Sequence, residues 1–154
     1  MPLRFTAPMQ KRAAQRTIVR LHRALLHFPE LQGRTITVGY TRAHLGAAIP
    51  EDFIIRLRAR KVSYNTIGHE LMHLVQGLRL IPEGEKPCDI WTLARNFLFC
   101  DEAPAYLTIP LEVRSQWSAY AGRVHELCVQ AIAVRESYRN YISWLEKELQ
   151  TLTS

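Results

Sequence analysis

His69-Glu70-Leu71-Met72-His73 is the stretch of this chain whose residue types and spacing point most directly to chemistry. Two histidines four residues apart lie one turn apart on one face of a helix, so both imidazoles can bind a single Zn²⁺ at about 2.0–2.1 Å. Glu70, one residue further round, can then take a proton from a zinc-polarised water without being a ligand itself. With 6 His in the chain, chance yields this five-residue pattern in roughly 1–2% of comparable sequences. A later segment, His125-Glu126-Leu127-Cys128-Val129, has the first two letters and fails at the fifth.

The elements that must position these residues are visible in the hydropathy pattern. Ser63 is a suitable N-cap and Gly77 a suitable C′ residue for a helix over Ser63–Gln76. Tyr64, Ile67, Leu71, Leu74 or Val75, and Leu78 form its apolar stripe. Two β-branched, alternating runs, Thr35–Tyr40 and Phe53–Arg58, supply strands for that stripe to pack on. Ahead of them, helical spacing of Ile18, Leu21, Leu25 and Phe28 predicts one helix over Met9–Phe28, closed by Pro29 and Gly33. After a Gly/Pro/Glu-rich loop, Pro87 suits the first turn of a helix over Cys88–Phe99, with Trp91, Phe97 and Phe99 as core residues.

From Glu112 to Leu152 the chain reads as one long helical segment. Trp117, Ala121, Val124, Cys128, Ala131, Tyr138, Ile142, Leu145, Leu149 and Leu152 recur in steps of four and three, and Arg135 breaks the series. Unbroken, the segment would be about 60 Å long at 1.5 Å per residue. That exceeds a domain of this size, so it must break, fold back or project. Gly122 is one candidate break, and the stripe is a candidate homodimer face.

Composition fits these elements. The 154 residues are 47% hydrophobic and 22% charged, which predicts a single α+β domain over 1–154 with 111–152 as a helical extension. A disordered, collagenous or membrane-spanning chain is not indicated. The start carries no apolar secretory signal, and three cysteines (Cys88, Cys100, Cys128) form no disulfide or zinc-ribbon pattern, so a cytoplasmic location is expected. The net charge of +6 is uneven: residues 1–61 hold twelve Lys and Arg against three Asp and Glu, and the remainder is acidic. Such a basic region suits a solvated helix face or, alternatively, contact with nucleic acid through residues such as Arg12, Arg16 and Arg20.

The stretch Thr66-Ile67-Gly68-His69-Glu70-Leu71-Met72-His73-Leu74-Val75 resembles the extended motif of the zincin metallopeptidases, in which uncharged residues surround the histidines. The order helix, short strands, metal helix also resembles the N-terminal half of compact zincins of the minigluzincin or SprT-like type, over roughly Ile18 to Leu98. The resemblance implies a minimal zincin core with a short, mostly antiparallel sheet, one zinc per chain, His69 and His73 as ligands and Glu70 as general base. It also implies a sheet-edge strand near Leu45–Ile49 that aligns a peptide substrate as an added strand.

The third ligand is open. Gln76 and Arg79 stand where a metzincin has Gly and His, and no further histidine follows soon after the helix, so a carboxylate is favoured. Asp89 is preferred, ahead of Glu102, Asp101, Glu85 and His125; failing that, it is a partner for the free N–H of a ligand histidine. Glu85 with Asp89 resembles the gluzincin Glu-x-x-x-Asp arrangement, but Pro87 between them argues against the continuous helix this requires. Weaker candidates are Tyr106 as an oxyanion donor, Arg95 as a partner of Asp89, Glu102 or a substrate carboxylate, and Cys88 as a thiolate ligand. The expected function is zinc-dependent hydrolysis of peptide bonds in a protein or peptide substrate. The alternative is a catalytically weak regulatory or nucleic-acid-associated protein on the same core.

Overall fold

A computed structural model describes residues 3–154. The chain opens with strand β1 (Leu3–Phe5). Thr6 then caps helix α1 (Ala7–Arg12), its hydroxyl accepting from the Met9 N–H at 3.4 Å. Helix α2 (Gln15–Leu25) follows after a break, so the single helix expected over Met9–Phe28 is two. The break has a tertiary cause. Ala13 and Ala14 are extended, and the Ala59 carbonyl accepts from the Ala14 N–H at 3.0 Å and from the Thr17 hydroxyl at 2.8 Å.

Strands β2 (Ile36–Tyr40), β3 (Gly46–Ile49) and β4 (Ile54–Leu57) complete a four-stranded sheet in the order β1-β2-β4-β3. Strand β2 runs parallel to both β1 and β4, and only β3, on the edge, is antiparallel to its neighbour. The expected mostly antiparallel sheet is therefore corrected to a mostly parallel one in an α+β fold. Helices α1 and α2 carry the chain from β1 back to the start of β2, and the β3 excursion does the same before β4. Strand β4 starts one residue later than its pattern suggests, because Phe53 sits in the left-handed region at φ 51°.

Helix α3 (Tyr64–Gly77) lies across this sheet. Ser63 caps it by accepting from the Thr66 N–H at 3.0 Å, and the Asp101 carboxylate accepts from the Tyr64 and Asn65 N–H groups at 2.9 Å each. Three otherwise unpaired first-turn donors are thus satisfied, with negative charge at the positive end of the helix dipole. Ile67, Leu71, Met72, Leu74 and Val75 are fully buried, each burial stabilising by about 1.5–3 kcal/mol. Gly68 lets the 3₁₀ turn Phe97–Cys100 approach: a Cβ there would stand 2.5 Å from the Phe99 ring.

Helix α4 (Glu85–Arg95) begins earlier than expected, and α5 (Leu111–Ser115), α6 (Trp117–Arg135) and α7 (Tyr141–Gln150) follow. The long C-terminal segment breaks around Gln116 and again between Arg135 and Tyr141; Gly122 stays inside α6. Helix α7 folds back, so that Trp117, Ala121, Val124, Cys128, Ala131, Leu145 and Leu149 form a second core with Ile90 and Leu93 of α4. Most of the stripe read as a candidate homodimer face is packed within the chain, although Tyr138 is exposed and Ile142 and Leu152 are half-buried. Phe99 is core as expected, whereas Phe97 is 55% exposed. Among the described residues, no helix is long and apolar enough to cross a membrane.

Candidate metal centre

Helix α3 aims His69, Glu70 and His73 into a cleft of about 590 Å³, walled by β3 on one side and by α4 and the 103–106 loop on the other. The two imidazoles meet edge to face, with their Nε2 atoms 3.1 Å apart. Each ring is fixed through its other nitrogen. The Nδ1 of His69 lies 2.9 Å from Asp89 Oδ1, while Asp89 Oδ2 accepts from the Tyr106 and Leu107 N–H groups at 2.8 and 3.0 Å. The Nδ1 of His73 lies 2.7 Å from Gln76 Oε1. The Gln76 amide nitrogen donates to the Pro82 and Gly84 carbonyls at 2.8 and 2.9 Å, so its oxygen must face His73. Both Nδ1 atoms therefore carry hydrogen, and both Nε2 atoms direct acceptor capacity at the same point.

Glu85 completes that arrangement. Its Oε1 stands 3.1 Å from His69 Nε2 and 2.8 Å from His73 Nε2. Three acceptor atoms this close require a positive charge, either a proton or a metal cation. The triangle also matches a metal. Ligands at 2.0–2.1 Å in tetrahedral geometry are about 3.3 Å apart, close to the separations found here. The thiol of Cys88 is also near: His69, His73 and Cys88 offer ligand atoms within 4.8 Å of one another, and this cluster could hold one metal ion. However, the Cys88 thiol is buried and donates to the His69 carbonyl at 3.2 Å. Burial pushes the metal-free thiol up to about 11, so a metal taking Cys88 as a ligand would have to displace its proton, as at His69.

Asp89, the preferred third ligand, thus lies against the Nδ1 side of His69, with both oxygens already engaged. Glu85 is on the Nε2 side. The two acids are one turn apart on α4, so they grip one ring from opposite sides. Pro87 does not prevent this, because it falls in the first turn of α4, where its missing N–H has no helical acceptor to lose. The other candidates divide. Asp101 caps α3, His125 hydrogen-bonds the Leu93 carbonyl at 2.7 Å, and Arg95 forms a paired contact with Glu30 at 2.9 and 2.6 Å. Glu102 lines the cleft without joining the triangle.

The electrostatics follow from these contacts. Burial depresses His69, but the hydrogen bond to Asp89, with help from Cys88, outweighs it and raises the metal-free imidazole to about 12. A cation must displace that proton, so occupancy depends on pH. Burial tends to raise Glu85, yet the charges of His73 and His69 and bonds from His69 and Tyr106 bring it below the usual carboxylate range. Burial lifts Glu70 to about 7. Its carboxylate touches the edge strand: a Cβ on Gly46 would lie 2.7 Å from Glu70 Oε2. Tyr106 stacks on His69 at 5.6 Å between ring centroids, with its hydroxyl toward Glu85.

Sequence reasoning missed Gln76 and Gly46. Nothing in the helical pattern marks Gln76 as a ring partner, since its role depends on the carbonyls of the loop that follows. No family model, curated protein or solved structure matches the chain.

Proposed function

We propose that this protein is a zinc-dependent metallopeptidase with a gluzincin-like ligand set. The reading is carried by one observation: the His69 and His73 Nε2 atoms and Glu85 Oε1 form a triangle with sides of 2.8–3.1 Å, which needs a proton or a metal cation and whose spacing suits three ligands of one tetrahedral metal. His69, His73 and Glu85 are the proposed ligands, revising the preference for Asp89. Asp89 and Gln76 instead orient the two rings, a support that metal-binding histidines usually have. Zinc held there supplies Lewis-acid polarisation of a carbonyl and activation of water at neutral pH.

The remaining roles belong to the chain. Glu70, raised to about 7, takes a proton from the attacking water as the new C–O bond forms. It returns that proton to the amide nitrogen as the C–N bond breaks. Strand β3 lies along the cleft with one edge unpaired in the sheet, so an extended substrate can add beside it through main-chain hydrogen bonds. Tyr106, in the wall of the cleft, is a donor to the oxyanion that develops on the carbonyl.

The test is zinc content and affinity of purified variants, together with cleavage of an unfolded protein. About one zinc per chain is expected. Changing Glu85 to Ala should weaken zinc by about 100-fold or more, whereas changing Cys88 to Ser should leave binding intact. The opposite pattern would transfer the third position to the thiol. A zinc-loaded wild-type chain that cleaves no unfolded polypeptide would overturn the peptidase assignment.

A further inference from the structure

A second cleft lies between the end of α1 and the segments that follow β2 and β4, and six of its nine lining residues are cations. Its volume is about 720 Å³, and Lys11, Arg12, Arg42, Arg58, Arg60 and Lys61 line it with no Asp or Glu among the lining residues. Arg42 and Arg58 sit just beyond the carboxyl ends of the parallel strands β2 and β4, where open sheets commonly leave a ligand crevice. Lys11 and Arg12 end α1 on the facing side.

This concentration of charge is held in place. The Ala59 carbonyl ties the basic loop to the α1–α2 break through Ala14 and Thr17. Arg16 and Arg20 donate to the Arg60 and Val62 carbonyls at 3.3 and 2.7 Å. Like charges held together destabilise the compact state, yet the Lys/Arg salt bridges among the described residues, Lys86–Glu146 and Arg95–Glu30, use none of them. Arg12 and Arg58 donate to the Pro8 and His44 carbonyls, but no carboxylate offsets the shared positive charge of the six, and an anionic partner would.

We infer that this groove binds the backbone of single-stranded nucleic acid. Four of its six cations are Arg, whose planar fork matches phosphate oxygens two at a time. Tyr40 lies in the groove under the Arg12 guanidinium, 4.9 Å from its ring centroid, and a base can stack in this place by displacing or covering that guanidinium. A charged groove with an aromatic platform suits a flexible strand, whereas a duplex presents a convex cylinder that this concavity does not match. The lining also has no large aliphatic side chain to enter a bilayer. The site is independent of the metal centre and does not rest on the peptidase reading.

The probe is a fluorescent thymidine oligomer of about twenty nucleotides, titrated with the full chain at about 50 mM salt and followed by anisotropy. The variant Arg42→Glu/Arg60→Glu/Lys61→Glu changes side chains outside the carbonyl bonds that anchor the loop. It should bind at least about tenfold more weakly, and its log–log salt slope should be shallower by about 2. The exposed triple Arg114→Glu/Arg123→Glu/Arg139→Glu, on α5, on α6 and in the turn before α7, alters net charge equally and should retain affinity. Circular dichroism verifies that both variants fold. The inference is overturned if the oligomer does not bind, if the two triples lose affinity equally, or if only polyglutamate or anionic vesicles bind.

Discussion

Helices α3 and α6 both carry a His-Glu pair among apolar residues, yet their surroundings differ completely. On α3, His69 and Glu70 are buried at the cleft, and α4 brings two carboxylates to the first ring. On α6, His125 bonds one backbone carbonyl and packs at 6.0 Å against Phe97, while Glu126 faces solvent. The contrast shows that histidine spacing is necessary but not sufficient. A chemically useful ring needs one nitrogen engaged so that the other is presented, together with a third group from a separate element.

The largest test of this contrast changes the two glutamates. Glu70→Gln should lower kcat for peptide cleavage by about 10³-fold with zinc retained, and Glu126→Gln should leave both unchanged. Equal losses in a kinetic and zinc-content comparison would erase the distinction. Next come the ring partners. Asp89→Asn and Gln76→Met should each weaken zinc by about 10–100-fold in competition with a chelator, with Asp89→Asn the more severe because it removes a buried charge. His125→Ala, which removes the corresponding ring from α6, should not alter zinc affinity.

A smaller effect is expected at the cleft wall. Gly46→Ala forces a Cβ to 2.7 Å from Glu70 Oε2 unless the carboxylate moves. It should lower kcat about tenfold while zinc affinity persists. The smallest concerns how the α6–α7 hairpin is fastened. Glu146 of α7 accepts from Lys86 at 3.0 Å and from the Thr108 N–H at 2.8 Å. Burial tends to raise its pKa, but the Lys86 and Thr108 bonds bring it below the usual carboxylate range. Its contribution is therefore complete above the unfolded pKa and lost as pH falls through the lower folded value. Glu146→Gln should cost about 1.5 kcal/mol in urea unfolding at neutral pH, and the difference from wild type should shrink in acid.

Much of the centre was legible in one dimension because it lies within one helix. The spacing of His69 and His73 follows from the 3.6-residue repeat and the Ser63 cap from its hydroxyl, whereas Gly77, expected just past the end, is the last helical residue and Arg79 takes the left-handed position beyond it. The edge strand expected near 45–49 is also present, as Gly46–Ile49. What misled was local punctuation. Pro87 reads as a barrier between Glu85 and Asp89, although a proline in the third position of a helix leaves both acids on one continuous α4. The periodicity of the last segment, broken only at Arg135, likewise left its reversal undecided, because the same stripe serves two antiparallel helices packed on each other as well as one long seam.

The sequence by itself determined a histidine pair on one helical face, a glutamate beside it, a small α+β domain and a strongly basic first third. Tertiary structure decided that Glu85 meets the Nε2 atoms while Asp89 holds the opposite side of His69, that Gln76 fixes the tautomer of His73, and that the cations of α1 and of the segments after β2 and β4 line one groove. Local spacing specifies which side chains share a face. Which nitrogen of a ring is presented, and which charges are brought together, depends on groups contributed by other elements, whose positions are set only when the cores pack.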